Sequence, residues 1–334
     1  MILVVQSISL CSQMTLLYGD VMRYHPCPLI LIIYLSTVCS LSYFRALQLS
    51  LTMTTTDLQT EKHSEAITAA LNNPQHIQRI LREGILLAGG AAAILLQVAN
   101  PGVGKGVSNH SNFAYRPVDR LRTTMTYVYC MVFGSPQEKE TVIQLVHRVH
   151  SVVKGLDYSA DDAQLQLWVA ATLYAVGVDL YERVFGAITE DKAEQLYREY
   201  AVLATSLRVP AEMWPQDREA FWAYWDEQIQ GFDVSPEAKE VANDLLRNKR
   251  LPVYLRSFLP LLRVMTTYMI PPRLREQFGL KDTRGRERVY MLTMGLTKIT
   301  YPVIPKFIRT YPHKYYLKDM RRRIEKANGK PEKL

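Results

Sequence analysis

The sequence SADDAQLQLWVAATLYAVGVDLYERV, from Ser159 to Val184, is a long helical pattern. Its apolar side chains recur at intervals of three and four residues, as they do on one face of an α-helix. Asp161 and Asp162 lie in the first turn, where the helix dipole stabilises acidic side chains. We therefore predict a helix from Ala160 to about Val184 with Ser159 before its first turn.

Other segments carry similar signals for the start of a helix. Ser135-Pro136-Gln137-Glu138 supplies an N-cap, a proline at the first helical position and a glutamate placed for a capping box. Thr189 and Ser235 precede two further starts with acidic first turns. Strand-like alternation is scarce. We predict an all-α fold: a single multi-helix domain from about 60 to 320.

The apolar stretch Ile85–Val98 has 14 residues, too few to span a bilayer, and is predicted to be a buried core helix. Asn100-Pro101-Gly102 ends it. The following glycines, Gly102-x-Gly104-x-Gly106, do not form a phosphate-binding loop, because Ala99 stands where its first glycine is needed and Gly106 where Ser or Thr is needed. We interpret them as a loop that terminates the helix.

The first 52 residues differ from the rest of the chain. Pro28 to Phe44 is a 17-residue stretch without a charge, which is near the lower limit for a membrane span. It is consistent with a membrane anchor, a packed or interfacial segment, or an extension outside the working protein, since Met53 opens a polar, start-like segment. We predict a hydrophobic N-terminal extension over 1–52 and a helical domain with a basic C-terminal tail over 53–334.

The chain has 334 residues, 48% hydrophobic and 22% charged, with a net charge of +8, and this composition permits a large buried core. From Pro305 to Leu334 there are ten Lys and Arg against three Asp and Glu. No nucleic-acid motif accompanies this basic tail, so we expect a solvated helix end and no nucleic-acid partner. The four cysteines contain no Cys-x-x-Cys pair, which argues against a zinc knuckle and a disulfide framework.

Two histidines, His147 and His150, lie three residues apart in the helical segment Thr141–Val153. On a helical wheel His150 falls beside the apolar face and His147 nearer the polar boundary, so His150 is predicted to point into the interior. A neutral imidazole in an apolar shell is either hydrogen-bonded within the core or able to serve as the axial ligand of a haem iron. A metal site built on both histidines would lack a recognisable carboxylate.

A second cluster comprises Arg120, Thr123 and Thr124, which share one face if the segment is helical. An arginine near a buried hydroxyl costs desolvation energy unless an anionic or polar group meets it. A haem propionate or bound oxygen would be such a group. The alternative is a surface arginine with a threonine that caps its own helix.

These residues belong to a longer set of motifs. LQxAxPxVxxGVxxHSxF begins at Leu96, RPxxRLxxT at Arg116 and HxxVxG at His150. Taken together, they resemble the catalytic domain of the MpaB-type oxygenases and the latex clearing proteins, or rubber oxygenases. The resemblance is strong from about 80 to 185 and continues more loosely to about 320.

The resemblance implies a haem b-dependent oxidoreductase that uses O2 on a hydrophobic, isoprenoid-type substrate and cleaves a carbon–carbon double bond. His150 would be the proximal ligand of the haem iron, and Arg120 and Thr124 would lie on the distal, oxygen-binding side. Thr123 also lies at the cofactor, where rubber oxygenases carry a lysine that can close onto the iron. Ala170 replaces a histidine that many relatives have.

The substitution at Ala170 leaves open a haem-binding protein without turnover. The N-terminal segment and the basic tail leave open a haem-free, membrane-associated helical protein. We expect a protein that is associated with the endoplasmic reticulum membrane or cytoplasmic, and that is not secreted. Membrane contact would be made through the N-terminal segment.

Overall fold

The computed structural model describes residues 61–68, 74–110 and 117–328, which belong to one compact unit, Glu61–Leu334. The described residues are mainly helical and form no β-strand; one isolated antiparallel bridge joins Lys154 to Ser159. The predicted all-α fold is confirmed. The predicted extension 1–52, its candidate anchor Pro28–Phe44 and the boundary at Met53 lie outside the described residues and stay predictions.

The helices are numbered in chain order over the described residues. The first nine are α1 (61–68), α2 (His76–Leu81), α3 (Gly90–Ala99), α4 (Pro101–His110), α5 (Pro117–Phe133), α6 (Pro136–His150), α7 (Ala163–Phe185), α8 (Glu190–Tyr200) and α9 (Val202–Thr205). The next are α10 (Arg218–Gly231), α11 (Pro236–Leu246), α12 (Val253–Arg256), α13 (Leu259–Met269), α14 (Pro272–Gln277), α15 (Arg284–Thr300), α16 (Lys306–Arg309) and α17 (Tyr311–Asn328). Short 3-10 turns occupy Gly84–Gly89, Ala211–Met213 and Tyr301–Val303.

The long helix α7 lies at the centre of the fold, where it packs against α3, α8, α15 and the turn Gly84–Gly89. It begins three residues later than predicted, because its N-cap is Asp162, whose carboxylate accepts the N–H groups of Gln164 and Leu165. Residues 159–162 instead form a turn closed by a hydrogen bond from the Asp162 N–H to the Ser159 carbonyl.

Three other predicted helix starts are confirmed. Ser135 and Glu138 form a reciprocal capping box at the start of α6, and the Ser235 hydroxyl accepts the N–H of Ala238 at the start of α11. Thr189 occupies the N-cap of α8 without a side-chain capping bond. The capping box fixes the start of α6, which ends at His150.

The predicted core helix over Ile85–Val98 differs in form from the prediction. It starts as the 3-10 turn Gly84–Gly89 and becomes α-helical only from Gly90. At Asn100 the chain bends by 109° between Gly84–Ala99 and Pro101–His110. The Asn100 carboxamide oxygen accepts the N–H groups of Gly102 and Val103 at 2.9 and 3.3 Å, which starts the new helix α4.

The glycines after Asn100 therefore do not form a terminating loop, and that prediction is wrong. They lie in α4, and two of the three are buried, Gly104 and Gly106. A Cβ at Gly104 would lie 2.7 Å from the Val98 carbonyl oxygen, inside van der Waals contact. The glycines thus permit α4 to fold back against the end of α3.

In the part of the chain that the structure describes, no single helix is long and apolar enough to cross a membrane. Only the bent pair Gly84–Ala99 and Pro101–His110 meets that test, and only when both helices are taken together.

Candidate functional site

His150 is the last residue of α6, and its ring is half-buried. Burial lowers the pKa of His150 below its ordinary value, and the positive charges of Arg120 and Arg208 act in the same direction, whereas Asp161 opposes them. The neutral imidazole is therefore the preferred form near neutral pH. A neutral ring is the form that can bind a metal.

Gln166, in the first turn of α7, faces the ring of His150. Its Nε2 lies 3.5 Å from Nδ1 of His150 and donates to the Ala160 carbonyl at 2.8 Å, while its Oε1 accepts the Arg208 N–H at 2.9 Å. The two backbone bonds fix which end of the carboxamide faces the histidine. Because an amide N–H faces it, Nδ1 of His150 is the accepting nitrogen, and the neutral ring in this arrangement carries its proton on Nε2.

Arg120, in α5, combines two properties. Its side chain is reached by solvent, yet desolvation lowers its pKa. The charge of Arg120 lowers the pKa of His150, so the two predicted site residues lie near each other.

The Arg120 guanidinium has no carboxylate partner among the described residues, and desolvation is the sole cause of its pKa shift. Two residues later on the same helix, Arg122 forms a two-point ion pair with Asp319. The positive charge of Arg120 is therefore available, near His150, to an anion or to an acceptor that gains negative charge.

The two threonines of the predicted cluster differ from each other. Thr124 is exposed and lies one turn after Arg120 on the same helix face. Thr123 is also exposed, and its hydroxyl donates to the Asp119 carbonyl of its own helix. Thr124 thus lies beside Arg120, whereas the hydroxyl of Thr123 is already engaged.

The predicted orientation of α6 is only partly correct. Val142 is 3% exposed, but Leu145, Val149 and Val152 of the expected apolar face are 47%, 57% and 67% exposed. His147 and His150 are both half-buried. The side of α6 that carries the histidines therefore faces the protein more than predicted. Nε2 of His147 is buried without a hydrogen-bond partner, which the wheel did not predict.

Ala170 follows Gln166 by one turn of α7 and is 1% exposed. It therefore brings no titratable or hydrogen-bonding side chain to this part of the core. Among the described residues, no group of three or more His, Cys, Asp or Glu side chains could hold a free metal ion. A haem iron makes a smaller demand, since one axial histidine is enough to hold it.

An apolar cavity adjoins the helix that carries Arg120 and Thr124. Its walls come from α2, the turn Gly84–Gly89, α3, α5, α7, α8 and α9, and contain no charged side chain. From α5 it is lined by Leu121, Met125, Val128 and Tyr129. Helix α5 thus carries both Arg120 and the apolar side chains that line the cavity.

Sequence reasoning missed two elements of this region. Gln166 carried a usable signal, since a glutamine between apolar residues of a core helix needs buried partners. The cavity carried none, because its lining is assembled from helices far apart in the chain.

The comparisons with known proteins agree with these observations. Residues 77–299 match the family described as "ER-bound oxygenase mpaB/B'/Rubber oxygenase, catalytic domain". An uncharacterized protein of Mycobacterium bovis and one of Mycobacterium tuberculosis are each 31% identical to this chain over 241 residues, which cover 69% of this chain and 94% of either relative. No solved structure shows significant similarity to the chain.

Proposed function

This chain belongs to the mpaB/rubber oxygenase catalytic-domain family, and from that premise we propose that it is a haem b-dependent oxygenase. It uses O2 to cleave a carbon–carbon double bond in a hydrophobic, isoprenoid-type substrate. One observation carries the proposal: Arg120, which has no carboxylate partner among the described residues, lies near the half-buried His150. That pairing offers one ligand for an iron and one cation for a propionate or for bound oxygen.

The residues present fit a haem. His150 has the required neutral ring. Its Nε2 would bind the iron in the tautomer that carries the ring proton on Nδ1, and a ligating histidine donates that proton to an acceptor. The Gln166 amide that faces Nδ1 is a donor, so Gln166 would turn away from the ring when His150 binds the iron.

A bound haem supplies the activation of dioxygen, which no side chain of the site can perform. Arg120 contributes positive charge and up to five N–H donors, and Thr124 a hydroxyl on the same helix face. Thr123 has neither the length nor the basicity of the lysine that rubber oxygenases carry at this position. No side chain at that position would compete with oxygen for the iron.

The apolar cavity supports a hydrophobic substrate. Ligand pockets in proteins are mainly apolar with a few polar groups that fix orientation, and this cavity has that character. It shares α5 with Arg120 and Thr124, so a chain bound there would lie beside the helix that carries the oxygen-binding residues.

A second candidate is a haem-binding member of the family without turnover. Ala170 favours it, because the buried methyl group cannot transfer a proton where many relatives have histidine. Oxygen consumption separates the two functions. With an isoprenoid alkene as substrate, the haem-loaded full chain is expected to consume O2 and release carbonyl products, and Arg120→Met to lose about a hundredfold of that rate. Haem binding without oxygen uptake would favour the non-catalytic function.

Membrane contact is a further part of the proposal. The N-terminal segment 1–52 is the predicted point of contact, and Leu292, Leu296 and Ile299 of α15 add apolar side chains that are 74%, 63% and 73% exposed. Apolar helix faces of this kind insert into the interface of a bilayer. The test is co-sedimentation of the full chain with anionic vesicles; a chain that stays in the supernatant would contradict the proposal.

A further inference from the structure

The apolar cavity beside α5 has an empty volume of about 570 Å³, which includes its open end. This volume is in the range of pockets that bind small molecules.

Tyr200 is the exception in this apolar lining. It is completely buried, and its hydroxyl has no hydrogen-bond partner. The other cavity-lining tyrosine, Tyr129, has no buried orphan atom. Nearby hydroxyls of the same core are satisfied: Tyr197 donates to the Pro215 carbonyl at 2.6 Å, and Tyr127 to the Leu203 carbonyl at 2.9 Å.

The position of the Tyr200 hydroxyl depends on a glycine. A Cβ on Gly177, which also lines the cavity, would lie 2.7 Å from the Tyr200 hydroxyl oxygen. The glycine thus leaves room for a polar atom at the wall of the cavity. Burial raises the pKa of Tyr200 far above its usual range, so the hydroxyl keeps its proton and can only donate to, or accept from, a neutral partner.

A buried hydroxyl without a partner destabilises a protein and calls for a physical explanation. A water molecule needs two or more polar partners, and among the described lining residues only Tyr129 adds a second polar side chain. An acceptor atom on a bound ligand requires one donor, which the Tyr200 hydroxyl would supply.

We propose that this cavity binds an apolar chain that carries a single acceptor oxygen, of the carbonyl type, and that the Tyr200 hydroxyl donates a hydrogen bond to it. Tyr200 is then a specificity-determining residue, which selects an oxygenated chain over a pure hydrocarbon. The identification of this chain as substrate or product rests on the proposed oxygenase function; the binding preference does not.

The test compares two ligands that differ in one group: geranylacetone, an isoprenoid ketone, and the hydrocarbon in which a methylene group replaces its carbonyl oxygen. Each is titrated against the full chain, and binding is measured by equilibrium titration without turnover. We expect the wild type to prefer the ketone by about two- to tenfold, the range of one neutral hydrogen bond. Tyr200→Phe is expected to abolish this preference and to keep the affinity for the hydrocarbon.

Tyr197→Phe is the matched control, because it removes a buried hydroxyl from the same aromatic cluster without touching the cavity. It should keep the preference for the ketone. A second variant, Gly90→Leu, fills the cavity: Gly90 lines it, and a Cβ there meets nothing within 4 Å. This variant should lose affinity for both ligands, also if Tyr200→Phe fails to fold.

Equal affinity of the wild type for the two ligands, or an unchanged preference in Tyr200→Phe, would overturn the inference. Undiminished binding to Gly90→Leu would place the ligand elsewhere and overturn it as well. Discrimination by a protein that binds no haem would contradict the proposed function alone, and haem binding without discrimination would contradict this inference alone.

Discussion

Nε2 of Gln166 lies 3.5 Å from Nδ1 of His150, and the Gln166 carboxamide is itself held by the backbone of Ala160 and Arg208. The side chain thus links the end of α6, the start of α7 and the segment after α9. Its substitution is expected to affect both the stability of the fold and the placement of the histidine.

Gln166→Leu should lower the free energy of unfolding by about 1–3 kcal/mol, because two partly buried backbone groups lose their partners. Gln164→Leu, at an exposed position two residues earlier, is expected to change stability by less than about 0.5 kcal/mol. Urea unfolding of both variants measures the difference; equal stabilities would contradict this role of Gln166.

Arg120 and Arg122 offer a matched pair on one helix. Arg120 is exposed, and Arg120→Met breaks no ion pair among the described residues, so stability should change by less than about 0.5 kcal/mol while oxygenase activity falls. Arg122→Met breaks the ion pair with Asp319 and should cost about 1–2 kcal/mol. Thermal unfolding of the two variants tests this. A strongly destabilised Arg120→Met would show that Arg120 supports the fold.

Asp319 joins α5 to α17, because it accepts from Arg122 and from Arg323. Hydrogen bonding with Arg122 holds the pKa of Asp319 below its ordinary value. The stabilisation is therefore complete above the unfolded-state pKa of about 3.9 and is lost as the pH falls through the lower folded-state pKa.

Asp319→Asn should consequently be less stable than the wild type at pH 6, by about 1–2 kcal/mol, and the gap should narrow as the pH falls below about 4. Urea unfolding at pH 6 and at pH 3 measures it. Asp226→Asn, at an exposed site of α10, is the control and should show no gap at either pH. If the stability difference between Asp319→Asn and the wild type is the same at pH 3 as at pH 6, the ionised carboxylate of Asp319 is not its cause.

Two glycines in helices should respond to alanine in opposite directions. Gly104→Ala would place a Cβ 2.7 Å from the Val98 carbonyl oxygen and should destabilise the fold by about 1–3 kcal/mol. At Gly295, in the exposed middle of α15, a Cβ meets nothing within 4 Å, and alanine should stabilise by about 0.5–1 kcal/mol. Denaturant midpoints of both variants decide the matter, and a tolerated Gly104→Ala would contradict the close packing of α4.

Local sequence was sufficient for the helical class and for the caps at Ser135 and Ser235, because a capping bond spans three residues. It placed the start of α7 at Ser159 instead of Asp162, since both residues can cap a helix and tertiary packing selects between them. The bend at Asn100 and the helical glycines after it were missed, because glycine signals a break unless a neighbouring helix needs its small size.

The candidate site, too, was predictable only where local sequence decides the structure. The spacing of Arg120 and Thr124 predicted that they share a helix face, and the resemblance marked His150. How near Arg120 lies to His150 depends on how α5 packs against the ends of α6 and α7, and no local sequence pattern predicts that packing. The contact of Tyr200 with Gly177 joins α8 to α7, and only the folded chain brings the hydroxyl to the cavity.

The most direct test of the account is the absorption spectrum of the purified full chain after haem supplementation, beside His150→Ala and the control His147→Ala, three residues away on the same helix. We predict a Soret band in the wild type and in His147→Ala, and its loss or strong shift in His150→Ala alone. A wild type without a haem band, or a band unchanged by His150→Ala, would contradict the proposed haem site.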